Sequence, residues 1–174
     1  MFRHYPWHGR EPHFGKGDPV HRIGEARNLC LACFLMFALV TLMGLINQVS
    51  GTPYIPGGDS PAGTDCSGLA SWVANTATGR PTFGDRFHTG NEEAALLARG
   101  FKYGTAPGAL VIGWNGGHTA VTLPDGTPVS SGEGGGGVKI GGGGAYQPQF
   151  NHHMYLPADD AALAPARAGG DRSR

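Results

Sequence analysis

The sequence is poor in charged residues and in cysteine, and its charges balance. Charged residues make up 15% of the 174 residues, and 13 Lys and Arg offset 13 Asp and Glu, giving a formal net charge of zero. Without a net positive field to attract phosphates, the chain is not expected to bind nucleic acid. Three cysteines cannot close a disulfide framework. Cys30 and Cys33 lie in an apolar run, which leaves Cys66 as the one cysteine in a globular context.

The sequence also lacks a nucleotide-binding motif. No GK[ST] follows a glycine-rich stretch, which excludes a P-loop. Gly132, Gly134 and Gly137 fit the spacing G-x-G-x-x-G, but a dinucleotide fingerprint must open a helix, and here "VKIGGGG" follows. We therefore interpret this glycine-rich segment as a flexible loop at the rim of a site.

The chain length fits about one domain, at roughly 100–200 residues per domain. We predict disordered polar tails at residues 1–28 and 158–174 and a compact domain over residues 47–157. The apolar run, residues 29–46, contains no charge and is just long enough for a membrane-spanning helix. Basic residues precede it and the next charge is Asp59, which favours a cytoplasmic N-terminus and an exported domain.

Two other interpretations of the apolar run remain open. Residues at helical spacing from position 39 onward form one apolar face, as in a helix that begins the domain: Leu39, Leu42, Met43, Ile46 and Val49. A cleaved signal peptide is the third interpretation, although its leading region would be long and no clear cleavage site follows.

The compact domain is predicted to be α+β. Asp65 is placed to cap a helix that starts at Cys66 and ends near Asn75, and "NEEAALLARG" predicts a second, short helix. Five short β-type runs follow: "ALVIGW", "HTAVTL", "TPVSSG", "VKIG" and "HHMYLP". Asp125-Gly126 between the second and third runs predicts a hairpin. Helices followed by an antiparallel sheet are typical of the α+β class.

Cys66 stands where a helix begins. The unpaired N–H groups and partial positive charge of a helix N-terminus stabilise a thiolate, which is the reactive form of cysteine. The same N–H groups can receive the oxyanion of a tetrahedral intermediate. A lone cysteine is more often a small buried hydrophobe, but the polar neighbours Asp65 and Ser67 favour a nucleophile.

A nucleophilic thiol requires a base, and His118 is the best placed histidine. It follows an Asn-Gly-Gly turn and begins a β-type run, where an imidazole can be held toward a neighbouring element. His88, His152 and His153 are weaker candidates because nothing comparable fixes them.

These segments resemble the NlpC/P60 family of cysteine peptidases. The resemblance lies in "GTPYIPGGDSPAGTDCSGLASWV" and in "APGALVIGWNGGHTAVTLPDG", in that order, and covers roughly residues 40–157. It implies a papain-like α+β fold and hydrolysis of amide bonds in peptidoglycan stem peptides. A narrower resemblance is to modules in tail and lysis proteins of mycobacterial phages.

The resemblance also implies roles for individual residues. Cys66 becomes the nucleophile and His118 the general base, and no metal or cofactor is needed. The third, orienting residue falls at or near Ser130, with Ser131 or Glu133 as substitutes if the strand register differs. Residues implied in substrate binding are Tyr54, Asp65, Ser67 and Gly117. Ala109 departs from the family pattern, which usually has Asp there.

We expect the protein to be anchored in a membrane with its catalytic domain outside the cytoplasm, or to be secreted or associated with a virion. Two alternative functions use the same scaffold. One is an amidase or acyltransferase with the same Cys–His pair, because fold alone does not fix the reaction. The other is a catalytically weak module that binds cell wall.

Overall fold

The computed structural model describes residues 36–157. The two predicted tails and residues 29–35 of the apolar run, with Cys30 and Cys33, lie outside the described residues. Two helices frame the first half of the domain: α1 over residues 36–49 and α2 at Cys66–Ala77, with the short strands β1 (Asp59–Ser60) and β2 (Gly63–Thr64) between them. The remaining elements are α3 (Glu92–Leu97), β3 (Lys102–Tyr103), β4 (Leu110–Trp114), β5 (Thr119–Thr122), β6 (Pro128–Ser131), a 3-10 turn (Glu133–Gly135), β7 (Val138–Ile140) and β8 (His152–Leu156).

The six strands β3 to β8 form one antiparallel sheet in the order β3-β8-β4-β5-β6-β7. The predicted Asp125-Gly126 hairpin joins β5 to β6, with Gly126 at a φ of 88° and the Leu123 N–H donating to the Thr127 carbonyl at 2.9 Å. All five predicted β-type runs are strands of this sheet. The predicted α+β class is therefore confirmed, with helices packed on an antiparallel sheet as the papain-like resemblance implies.

Helix α2 packs on β5 and β6 of the sheet and shares one hydrophobic core with α1. Ten of its residues, Cys66 to Asn75, are buried, which explains why its sequence contains no charged residue. Trp72 is fully buried, and its indole N–H donates to the Asp59 carboxylate at 2.7 Å. This bond ties the hairpin of β1 and β2 to the helix that carries Cys66.

Helix α1 packs one apolar face against this core. Leu42, Ile46 and Val49 are at most 2% exposed, and Leu39 and Met43 pack against them. The described part of the apolar run, residues 36–46, is thus part of a helix that packs into the core of the domain. Met36, Phe37 and Val40 on its other face are exposed. Within residues 36–157, no helix combines the length and the apolar character that crossing a bilayer requires.

Candidate active site

Cys66 is the first residue of α2, and the residue before it caps the helix as predicted. The Asp65 carboxylate accepts hydrogen bonds from the N–H groups of Gly68 (2.8 Å) and Gly57 (2.7 Å). It also accepts from the Ser67 hydroxyl at 3.0 Å and pairs with the Arg86 guanidinium at 2.7 Å. Burial alone would raise the pKa of Asp65, but these donors together hold it below its ordinary value. Asp65 therefore caps the helix as a charged carboxylate that accepts hydrogen bonds from four donor groups.

The sulfur of Cys66 lies where α2 meets the first residue of β5. It accepts hydrogen bonds from the backbone N–H groups of Thr119 and Ser67, and the Tyr54 hydroxyl also bonds to it. Burial raises the pKa of the thiol, and the nearby carboxylates of Asp65 and Glu92 raise it further, against the effect of the two N–H donors. A thiol with a raised pKa keeps its proton until a base removes it.

His118 directly precedes Thr119, the residue whose N–H reaches this sulfur. The side-chain oxygen of Asn115 fixes the turn before β5 by accepting from the N–H groups of Gly117 (2.8 Å) and His118 (2.9 Å). The imidazole stacks on Phe150 with 5.8 Å between ring centroids. Its Nε2 lies 3.1 Å from Oε1 of Glu133. Phe150 thus covers one face of the imidazole ring, and Glu133 engages its Nε2 atom.

The partner of His118 is Glu133, not Ser130, which was the first choice from the sequence. Ser130 instead donates to the other oxygen of Glu133 at 3.3 Å, and Ser131 donates to the Thr64 carbonyl at 3.4 Å. The reason is that β6 ends at Ser131 and Gly132 turns the chain with a φ of 92°, so the 3-10 turn carries Glu133 back toward the imidazole. From the sequence, Glu133 was considered as a substitute only if the register of β6 differed. Because Glu133 lies beyond the end of β6, its position is set by the turn at Gly132 and not by strand register.

Among the residues implied in substrate binding, Tyr54 has an exposed side chain at the site, whereas Asp65 and Ser67 stabilise the start of α2. Tyr54 is 44% exposed beside the sulfur. Its ring covers Gly132, where an added Cβ would lie 2.6 Å from a ring carbon. Ser67 is buried and bonds to Asp65 and, at 3.0 Å, to Arg86. Gly117 is exposed in the turn held by Asn115.

Sequence reasoning missed three residues of the site: Arg86, Asn115 and Glu92. Arg86 reaches Asp65 from a loop 21 residues away, and no local pattern indicates that pairing. Asn115 had a readable signal, because a short polar side chain before Gly-Gly is typical of a turn closed by its own side chain. Glu92 resembles an ordinary acidic residue in the first turn of a helix, yet it is fully buried.

Comparisons of the sequence and of the structure both find known proteins that are similar to this chain. No known family profile matches the chain. Protein P54 of Enterococcus faecium is 35% identical over 102 residues, which are 58% of this chain and 19% of that protein. The chain thus spans about a fifth of the length of this curated relative. The NlpC/p60 domain of the peptidoglycan hydrolase SagA is 26% identical, with 60% of this chain and 88% of that domain covered at a TM-score of 0.42.

The NlpC/P60 family is the family that the sequence motifs resemble. The segments that carry this resemblance place Tyr54 and the first residue of β5 beside Cys66, and His118 is the residue that immediately precedes β5. The narrower resemblance to phage proteins gains no support from these matches.

Proposed function

We propose that this domain is a cysteine hydrolase of the NlpC/P60 type that cleaves amide bonds in peptidoglycan stem peptides. The observation that carries the proposal is the meeting of Cys66, at a helix N-terminus, with the start of β5, where His118 is oriented by Glu133. The family name of the matched SagA domain agrees with this assignment.

The raised pKa of Cys66 fits a mechanism that begins from the protonated thiol. Because burial and neighbouring carboxylates raise the pKa of Cys66, the thiol passes its proton to His118 as the sulfur attacks the carbonyl carbon. Glu133 engages Nε2 and stabilises the imidazolium, which leaves Nδ1 as the nitrogen that takes the proton. The N–H of Cys66 itself receives the oxyanion, since the N–H groups of Ser67 and Gly68 already bond to the sulfur and to Asp65.

The second half of the reaction reverses these transfers. The imidazolium donates its proton to the leaving amine as the C–N bond breaks, and a thioester to Cys66 remains. A water molecule, deprotonated by His118, then attacks the thioester, and the released thiolate regains its proton. Hydrolysis is complete without a cofactor, since every proton and electron pair is accounted for by Cys66, His118, the substrate and water.

The test is an assay on purified cell-wall fragments in which mass spectrometry identifies the released peptides. We expect Cys66→Ala and His118→Ala to reduce cleavage to the level of the blank, because each removes one partner of the proton transfer. Substitution of Cys30 and Cys33 by Ala is the matched control for loss of a thiol and should leave cleavage intact. Normal cleavage by Cys66→Ala would refute the mechanism, and acyl-transfer products in place of hydrolysed peptides would indicate the acyltransferase.

We also propose that the domain acts outside the cytoplasm, where peptidoglycan lies. The charge asymmetry around the apolar run and the exposed Met36, Phe37 and Val40 support attachment to a membrane surface. Fractionation of cells producing the full chain tests this attachment, and recovery of the full-length protein without detergent in the soluble fraction would contradict it.

A further inference from the structure

A buried carboxyl group lies beside the candidate nucleophile and has no part in the mechanism above. Glu92, the first residue of α3, is 0% exposed. The next residue, Glu93, is exposed and accepts a hydrogen bond from the Tyr103 hydroxyl at 2.7 Å. Two consecutive glutamates of one helix thus differ completely in environment.

The hydrogen bonds around Thr119 fit a protonated Glu92 better than an ionised one. The Thr119 hydroxyl lies 2.7 Å from Oε1 of Glu92 and 3.2 Å from the Gly113 carbonyl, but a hydroxyl has one hydrogen to donate. If Glu92 donates to Thr119, then Thr119 donates to Gly113 and the chain of bonds is closed. Oε2 is buried without a partner among the described residues, which disfavours an ionised carboxylate. Consistently, burial raises the pKa of Glu92 to about 8.

Thr119 connects this carboxyl to the nucleophile. The same residue whose side chain bonds to Glu92 presents its backbone N–H to the sulfur of Cys66. Thr119 is itself fully buried and pairs with Trp114 across β4 and β5, so its position depends on these bonds and not on solvent. An ionised Glu92 would also raise the pKa of Cys66 by charge repulsion.

We propose that Glu92 is a positioning residue of the site: as a neutral acid it holds Thr119 against the sulfur of Cys66, and its ionisation in alkaline solution disfavours the thiolate. The role in turnover rests on the proposed function, whereas the effect on the thiol does not. The other charged or titratable groups here are Glu93 on α3, Tyr54 and Asp65 beside the sulfur, Arg86 paired with Asp65, and His118 next to Thr119. His118 is in turn engaged by Glu133.

The experiment measures the rate at which iodoacetamide alkylates Cys66 as a function of pH, followed on the Cys66 peptide by mass spectrometry. Glu92→Gln keeps the shape and the donor of the protonated acid but cannot ionise. We expect its alkylation profile to move to lower pH by about half a pH unit or more, because a negative charge is removed from the sulfur's surroundings. Glu93→Gln, the same change one residue on in the exposed environment, should leave the profile unchanged. A Glu92→Gln profile that superimposes on that of the unsubstituted protein would overturn the proposal.

A second pair of variants tests the link through Thr119 and remains informative if Glu92→Gln does not fold. Thr119→Val removes the hydroxyl at nearly constant volume, and Thr119→Ser keeps it. We expect Thr119→Val to alter the alkylation profile and to lower kcat more than it raises KM, and Thr119→Ser to recover most of both. Equal behaviour of Val and Ser would contradict the link. Absence of cleavage by the unsubstituted protein, with the alkylation shift still present, would instead refute only the proposed function.

Discussion

The two halves of the candidate site are built by different means. On the cysteine side, Asp65, Cys66 and Ser67 are consecutive, and one capped helix places all three. On the histidine side, His118 and Glu133 are 15 residues apart and meet only because Gly132 turns the chain after β6. The first half is built on consecutive residues, although two of the four donors to Asp65, Gly57 and Arg86, come from other segments, whereas the second half depends on a glycine-rich loop. In the proposed mechanism, the nucleophile is therefore placed by a capped helix and the base is oriented by a turn.

The largest effect that would test this comparison is loss of the orienting residue. Glu133→Gln keeps an acceptor for Nε2 but removes the charge that stabilises the imidazolium. A charge-assisted hydrogen bond contributes about 1.5–3 kcal/mol, so we expect kcat to fall roughly ten- to a hundredfold. Ser130→Ala removes only the 3.3 Å bond to Glu133 and should cost much less. Steady-state kinetics on a defined stem peptide measures both, and a loss for Ser130→Ala equal to that of Glu133→Gln would show that the serine orients the imidazole after all.

A second effect concerns the cap on the cysteine side. Asp65→Asn removes the charge paired with Arg86, and we expect the free energy of unfolding at neutral pH to fall by about 1–3 kcal/mol. Because the pKa of Asp65 is lowered in the folded state, its contribution is present above the ordinary value near 3.8 and is lost as the pH falls through the lower folded value.

Denaturant unfolding of both proteins between neutral pH and acid measures this contribution. The difference between Asp65→Asn and the unsubstituted protein should shrink as the solution becomes acid. Asp125→Asn, at the exposed hairpin, is the matched control and should show little difference at any pH. A gap that stays constant into acid would mean that the charge of Asp65 contributes nothing.

The smallest expected effect tests the turn itself. Gly132→Ala places a Cβ on a backbone with a φ of 92° and against the Tyr54 ring, so we expect a loss of about 1–2 kcal/mol and a several-fold lower kcat. Gly126→Ala is the matched control, since its φ is 88° and an added Cβ meets nothing within 4 Å. Thermal unfolding and kinetics of the two variants separate backbone strain from displacement of Tyr54 and Glu133. Equal kinetic losses would show that the turn does not position the base.

The same difference between the two halves decides how much of the fold and of the site could be predicted from the sequence. The helix at Cys66, its Asp65 cap and the strand after His118 follow from local signals, namely a capping residue, an apolar period and a turn. Glu133 could not be assigned in the same way, because its position is set by the positive φ of one glycine among many in the loop. The burial of Glu92 was hidden for a related reason, since an acid in a first helical turn normally faces solvent and only the packing of α3 on β5 removes it from water.

The two outer edges of the sheet are covered or short, and this affects whether the sheet can pair with a strand from another chain. At one end, the N–H of Gly51 and the carbonyl of Thr52 bond to the main chain of Val138 in β7, each at 2.9 Å. At the other end, β3 is only two residues long and carries Lys102. Short or covered outer strands with a lysine are the means by which β proteins avoid adding a strand from a neighbour. If the domain meets extended peptides, as the proposed function requires, these outer strands offer them little free edge to pair with.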